Sequence, residues 1–221
     1  MTPGIAPSRQ NLERGQRFSR HRHAQPYAAV VLAGAYSEAG SGGRYRVSSG
    51  EVMFHAAFDA HLNFVEPTGA VILNIPLQSY AAERTHFGVA NVDEIAAMAE
   101  RDPVAVEREL LNSLIDLPAQ AGDWPDLLAA DLRRNAVLSL EVWSAHHGLT
   151  PPSLSRGFRN AFGVTPKRFR LESKAHLALR HIRTGVVPLS AIAAEAGFSD
   201  QAHMTRAIAD LTGNPPSHWR A

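Results

Sequence analysis

The chain has no cysteine, which rules out disulfides and thiolate metal sites alike. It also has no apolar run near the roughly 20 residues a membrane-spanning helix needs. Residues 1–20 lack an apolar signal core and carry Glu13 among arginines, so no export signal is expected and the cytoplasm is the expected location. Charge is sparse: 19% of residues are charged and the net charge is only +1, which taken alone speaks against a nucleic-acid partner. With 221 residues, 45% of them hydrophobic, the chain is long and apolar enough for one or two folded domains with sizeable cores.

The charge is unevenly spread. Residues 131–221 hold 12 Lys and Arg against 6 Asp and Glu, whereas residues 1–130 hold 10 against 15. A basic half beside an acidic half fits a DNA-binding domain fused to something else.

The basic half contains one unit twice. GLTPPSLSRGFRNAFGVTPKRFR (148–170) is followed by GFSDQAHMTRAIADLTGNPPSHWR (197–220). A shift of fifty lays Leu154 on Met204, Arg156 on Arg206, Phe158 on Ile208, Gly163 on Gly213, Phe169 on Trp219 and Arg170 on Arg220. Each copy follows a short apolar-periodic run, Leu140-Val142-Trp143 or Leu189-Ile192-Ala193-Ala196. Helix, glycine-containing turn, then helix is a helix-turn-helix. Gly148 and Gly197 end the first helices, and Thr150 and Ser199 are the expected N-caps of the second. Leu154, Phe158 and Phe162, and Met204, Ile208 and Leu211, can bury one face of those second helices. The opposite face carries Ser153, Ser155, Arg156 and Arg159 in one copy, and Gln201, His203, Thr205 and Arg206 in the other. Such side chains suit the base edges and phosphates of double-stranded DNA.

These residues resemble the AraC family of transcription regulators: GLTPPSLSRGF, FGVTP, the Lys174 to Ala178 segment, IAAEAGFSDQAHMTRA and the terminal Gly-x-x-Pro-x-x-Trp-Arg. The resemblance covers about the last ninety residues. It implies two helix-turn-helix units joined by a long helix, here from about Pro166 to Thr184, with RNA polymerase as a further partner. Met204 and Ile208 stand where the family usually has phenylalanine, Ala202 where it has serine, and Ala209-Asp210 where it is commonly basic.

The acidic half reads differently. Residues 1–17 are polar, with Pro3, Gly4 and Pro7, and are expected to start disordered. From Phe18 the pattern is β-like: Ala28 to Leu32, Tyr45 to Val47, Val52 to Phe54 and Val71 to Ile75 are short runs between Gly, Ser and Pro turns. Ala39 to Gly43 reads as an exposed hairpin tip. His21, His23, His55 and His61 are the candidate metal ligands, because converging imidazoles hold zinc, nickel, iron or copper. His21 and His23 project from one face of a strand. The bland reading is a surface pair between arginines.

This spacing resembles the cupin superfamily, small β-barrels that often ligate metal through His-x-His, a glutamate and a later histidine. The resemblance covers roughly residues 18–78. His21, His23, Gly34, Gly50 and His61 match it; Tyr27 occupies the glutamate position, and Ala56-Ala57-Phe58 replaces Pro-x-Gly. His55 is the candidate replacement ligand. The alternative is a metal-free pocket, with Tyr27 on its wall, that takes an organic effector. AraC-type regulators often carry a cupin-like effector domain in this position.

Residues 91–117 turn helical. Asn91 and Glu94 cap one helix ahead of Ile95 and Met98. Asp102-Pro103 starts another, with Val106, Leu110, Leu111, Leu114 and Ile115 as an apolar face for the core or a homodimer. Asp123 to Arg134 reads as a further helix with Leu127, Leu128 and Leu132 inward. The expected α+β architecture is a cupin-like barrel domain over 1–118 and an all-α DNA-binding domain over 119–221. The expected function is transcription regulation, without enzymatic activity, under a metal or small-molecule effector. The competing reading is a metal-dependent cupin oxygenase or isomerase with a helical appendage, against which stands the lack of an evident acid or base near the histidines.

Overall fold

The computed structural model describes residues 6–80 and 84–220. They form two compact units, Met1–Ala121 and Gly122–Ala221. The first is an antiparallel sheet with helices and the second is all-helical, in agreement with the expected α+β class.

The sheet contains β1 (Ser8–Leu12), β2 (Arg17–Arg22), β3 (Tyr27–Gly40), β4 (Gly43–Ser48), β5 (Glu51–His55), β6 (Ala60–Pro76), β7 (His86–Val89) and β8 (Leu114–Ile115). β3 and β6 are long because each serves two halves of the sheet. The start of β3 lies between β5 and the end of β6; its end lies between β4 and the start of β6. β1 and β2 extend the two halves by pairing with the end and the start of β6. The strands bend where Gly34 crosses Gly69. A Cβ on Gly34, whose φ is +73°, would lie 2.0 Å from the Gly69 carbonyl oxygen, so the crossing requires glycine.

Alternate residues of β3 serve two cores. Ala29, Val31 and Tyr36 pack inside with Val47, Met53, Val65 and Ile72. Ala28 and Val30 pack outward, with Phe54, Leu73 and Ile75, against α1 (Val92–Arg101) and α2 (Val106–Asn112). The Asn91 cap is present, its side chain accepting from the Glu94 amide.

Several expectations are corrected. The expected disorder of residues 1–5 lies outside the described residues, and Ser8–Leu12 of the polar leader is a strand. Ala39 and Gly40 are buried in β3, because the hairpin turns only at Ser41-Gly42. The second helix starts at Val106 and ends at Asn112; Leu114 and Ile115 instead pair with Val89 and Gly88.

The helical unit runs α3 (Trp124–Arg134), α4 (Leu140–His146), α5 (Pro151–Phe162), α6 (Pro166–Arg183), α7 (Leu189–Glu195), α8 (Gln201–Thr212) and α9 (Pro216–Trp219). Leu128 and Leu132 of α3 are buried, but Leu127 is half-exposed; Val142 of α4 also faces outward. Among the described residues no helix is long and apolar enough to cross a membrane.

Candidate functional site

Two places concentrate functional side chains: the second helix of each repeat in the helical unit, and the histidines inside the sheet.

In the helical unit, a glycine-containing turn links α4 to α5 and another links α7 to α8, with α6 between the two pairs. Gly148 (φ +65°) and Gly197 (φ +76°) make the left-handed turns. Thr150 caps α5 by accepting from the Ser153 amide. The cap of α8 is Asp200 rather than the expected Ser199, with its carboxylate accepting from the His203 amide at 2.7 Å. The second turn is one residue longer after its glycine, so the cap shifts by one while the helices keep the fifty-residue spacing.

Leu154, Phe158 and Phe162 bury one face of α5; Met204, Ala207, Ile208 and Leu211 bury one face of α8. Met204 and Ile208 therefore fill their expected core positions. Arg156, Arg159, Gln201 and Arg206 are exposed, while Ser153, Ser155, His203 and Thr205 are half-buried. The Thr150 hydroxyl donates to Ser153 Oγ (2.9 Å), and His203 Nδ1 is 3.2 Å from Ser199 Oγ. Asp210, conspicuous in the sequence as an acid, pairs with Arg168 of α6 (2.5 Å), which also holds Glu172 (2.9 Å). Part of the basic excess thus orders the helices internally.

In the sheet unit, His21 of β2 pairs in register with His61 of β6, and Tyr27 of β3 pairs with His55 of β5. The ligand atoms of His21, His23 and His61 all lie within 4.8 Å of one another. His21 Nδ1 donates to the Ser19 carbonyl (2.9 Å), which leaves Nε2 with its lone pair, as a metal ligand requires. His55 does not join that trio. It groups with Glu38 and His61, again within 4.8 Å. The expected four-histidine cluster is therefore two overlapping groups that share His61. Tyr27 stacks on the His55 ring at 4.4 Å, and its hydroxyl is 3.4 Å from His61 Nε2.

Glu38 was missed by sequence reading, and it overturns the premise that no acid stands near the histidines. It is buried beside His55 and accepts from Asn63 Nδ2 (2.8 Å). Its only sequence signal was strand parity with Tyr36, and the Gly-rich stretch after it looked like loop. His86, also buried, pairs with Glu51 instead.

Burial dominates the electrostatics. It pushes Glu38 up to about 8, against the opposing Asn63 hydrogen bond. Burial, then the neighbouring His23 and His21, lowers His55 to about 3; burial, then His55, lowers His61 further still. His23 is lowered by burial and by His21. The inner histidines are thus neutral, the state that ligates metal. A cavity of ≈ 10 Å³ lies against Glu38, His55 and His61, about the room one water or one ion needs.

Residues 143–221 match the family described as a helix-turn-helix domain. Over 76 residues the chain is 30% identical to the arabinose operon regulatory proteins of Salmonella typhimurium and Escherichia coli, covering 34% of this chain and 27% and 26% of theirs. Over residues 143–221 the helical unit is similar to a helix-turn-helix domain. The chain spans only about a quarter of the length of these curated relatives. Among solved structures, ToxT from Vibrio cholerae is 11% identical across 97% of this chain and 98% of its own, with a TM-score of 0.41. The C-terminal domain of AraT, a response regulator from Geobacillus stearothermophilus, is 17% identical across 46% and 87%, with a TM-score of 0.42. The family match falls on the stretch that holds GLTPPSLSRGF and IAAEAGFSDQAHMTRA, and the arabinose operon relatives are in keeping with the AraC-type resemblance of those residues.

Proposed function

We propose that the chain is a sequence-specific DNA-binding transcription regulator, with α5 and α8 entering adjacent major grooves and the sheet unit receiving the effector. The observation that carries this reading is the pair of helix-turn-helix units whose second helices expose Arg156, Arg159, Gln201 and Arg206. At ~1.5 Å per residue the 18-residue α6 spans about 27 Å, a spacer on the scale of the ~34 Å between successive grooves. Relatives named as arabinose operon regulators favour the same function.

The effector in this reading is a transition-metal ion, zinc, nickel, iron or copper, held by His21, His23 and His61 with His55 behind them. The residues fit such an ion: His21 presents a free lone pair, and His61 Nδ1 is buried without a hydrogen-bond partner. The cavity suits an ion or a water better than an organic effector. The ion controls DNA binding only if it binds the DNA-competent arrangement differently from the other. A homodimer through the α2 region is in keeping with exposed Val104, Leu111 and Ile115, and RNA polymerase is a further partner.

Selection of bound fragments from the source genome tests the reading, with and without added metal. Enrichment of one sequence whose footprint covers two adjacent grooves is expected. Uniform retention of all DNA rejects it. The enzyme reading is favoured by one observation, the Glu38 carboxyl beside His55. Failure to stay on a random-DNA column, together with bound metal, would favour that alternative.

A further inference from the structure

We propose that Glu38, His55 and His61 form an inner site for a divalent transition-metal ion, distinct from the outer trio of His21, His23 and His61. The proposal extends the reading of the sheet unit as a metal-responsive domain, and its test separates the two sites.

Four observations converge on this place. First, the donors are a carboxylate and two imidazoles, a set that suits first-row divalent ions, and their ligand atoms lie within 4.8 Å of one another. Second, Glu38 Oε2 and His55 Nε2 are 3.6 Å apart. That is too long for a hydrogen bond, but it fits two ligands of one ion: bonds of about 2.0–2.2 Å in a tetrahedral site set donor atoms roughly 3.3–3.6 Å apart. Third, His61 is 3% exposed and its Nδ1 has no hydrogen-bond partner, a costly arrangement that a bound ion or water would relieve. Fourth, the one-atom-sized cavity described above is lined by all three side chains.

The surroundings fit a ligand set as well. Asn63 donates to Glu38 Oε2, the kind of outer hydrogen bond that orients a ligating carboxylate. Gly40 lets the end of β3 pass close to His61: a Cβ there would sit 3.2 Å from the His61 Cβ. Glu38, once an ion displaces its proton, supplies the negative charge that a buried cation needs and the outer trio lacks. A neutral His61 has one lone pair, so an ion at the inner site withdraws His61 from the outer trio. The two positions compete for a single ion.

The test uses the full chain carrying His21→Ala and His23→Ala, which dismantles the outer trio alone. Zn²⁺ is titrated in competition with a chromophoric chelator, and Co²⁺ absorption reports coordination. One ion per chain is expected in this parent. Adding Glu38→Gln should weaken binding by more than the roughly 10–100-fold that loss of an outer partner costs. Adding Asn63→Ala instead should weaken it by about that 10–100-fold. Asn63→Ala carries the test should Glu38→Gln fail to fold, as judged by metal-free circular dichroism. A wild-type chain that binds one ion while the His21/His23 parent binds none would overturn the inner site and leave the outer one standing. Binding in the parent that neither Glu38→Gln nor Asn63→Ala weakens would overturn it too. A wild type that binds no ion removes both sites, and DNA selection then tests the regulator reading on its own.

Discussion

Arg170 and Arg220, fifty residues apart, make the same anchor. Arg170 donates to the Leu138 carbonyl at 2.7 Å and Arg220 to the Val187 carbonyl at 2.6 Å. Leu138 and Val187 each immediately precede an N-cap, Ser139 of α4 and Pro188 of α7. In each unit the end of the repeat thus ties down its beginning. A charge-assisted hydrogen bond of this kind contributes about 1.5–3 kcal/mol, with Arg220 at the lower end because it is exposed. Arg170→Met is expected to lower the urea midpoint of the helical unit, and Arg220→Met to lower it less. Equal effects would overturn the ranking by exposure, and absent effects would overturn the anchors.

Arg156 and Arg206 occupy equivalent exposed positions, which suits a shared phosphate contact better than two different bases. Arg156→Ala should weaken binding to all DNA sequences alike and reduce the salt slope by roughly one unit. Fluorescence titrations at several salt concentrations read this out. A changed sequence preference with an unaltered slope speaks against it.

Ser153, Gln201 and His203 lie in the first turns of α5 and α8, where helices reach the groove floor. His203 is oriented by Ser199 and by an edge contact with the Phe198 ring at 5.2 Å. Gln201→Ala and His203→Ala should each cost about 1–3 kcal/mol of discrimination at one base pair. Binding to a randomised site is the measurement, and an unchanged preference removes the residue from the interface.

Gly157 sits under the Trp124 ring of α3, where an added Cβ would fall 2.5 Å from a ring carbon. Gly157→Ala should destabilise the helical unit by about 1–3 kcal/mol through overpacking. Thermal unfolding followed by Trp fluorescence would show it, and Trp124→Leu in the same chain should recover part of the loss.

The buried histidines set an acid limit on the metal-free sheet unit. His55 and His61 titrate below their ordinary value of 6.5 when folded. The unfolded chain therefore takes up protons first, and stability is lost as pH falls from 6.5 toward about 3. Glu38 acts oppositely: held protonated up to about 8, it favours the folded state less as pH rises from 4.5. Below 4.5 Glu38 carries its proton in both states, and the histidine loss stands alone. Urea unfolding of chelator-treated protein should show the steepest decline between pH 4.5 and 3, flattened in His55→Gln. An equally steep decline in that variant would assign it elsewhere.

The helical unit was legible because local chemistry fixes it: the glycine turns, the Thr150 cap and the apolar faces of α5 and α8 all lie within a dozen residues of what they organise. The Asp200 cap was misjudged only because one turn is longer. The sheet unit was legible in part. Spacing singles out His21, His23 and His61, whose ligand atoms lie within 4.8 Å of one another, but Glu38 reaches His55 only through strand pairing, which no local pattern records. Leu114 and Ile115 looked helical for a similar reason, since the partner that makes them a strand, β7, is distant in sequence.

The crossing of Gly34 and Gly69 also fixes a count. Before it, the odd-numbered Ala29 and Val31 of β3 face the interior; after it, the even-numbered Tyr36 does, and Glu38 with it. β6 changes parity in the same chain order, from odd Val65 to even Ala70 and Ile72. The pairing register shifts between Val31 and Ala33 and again between Gly34 and Tyr36. The odd residue out at this bend therefore decides which side chain meets His55. Deleting one residue there would turn Ser37 and Ala39 inward and carry the Glu38 carboxylate to the opposite face of its strand.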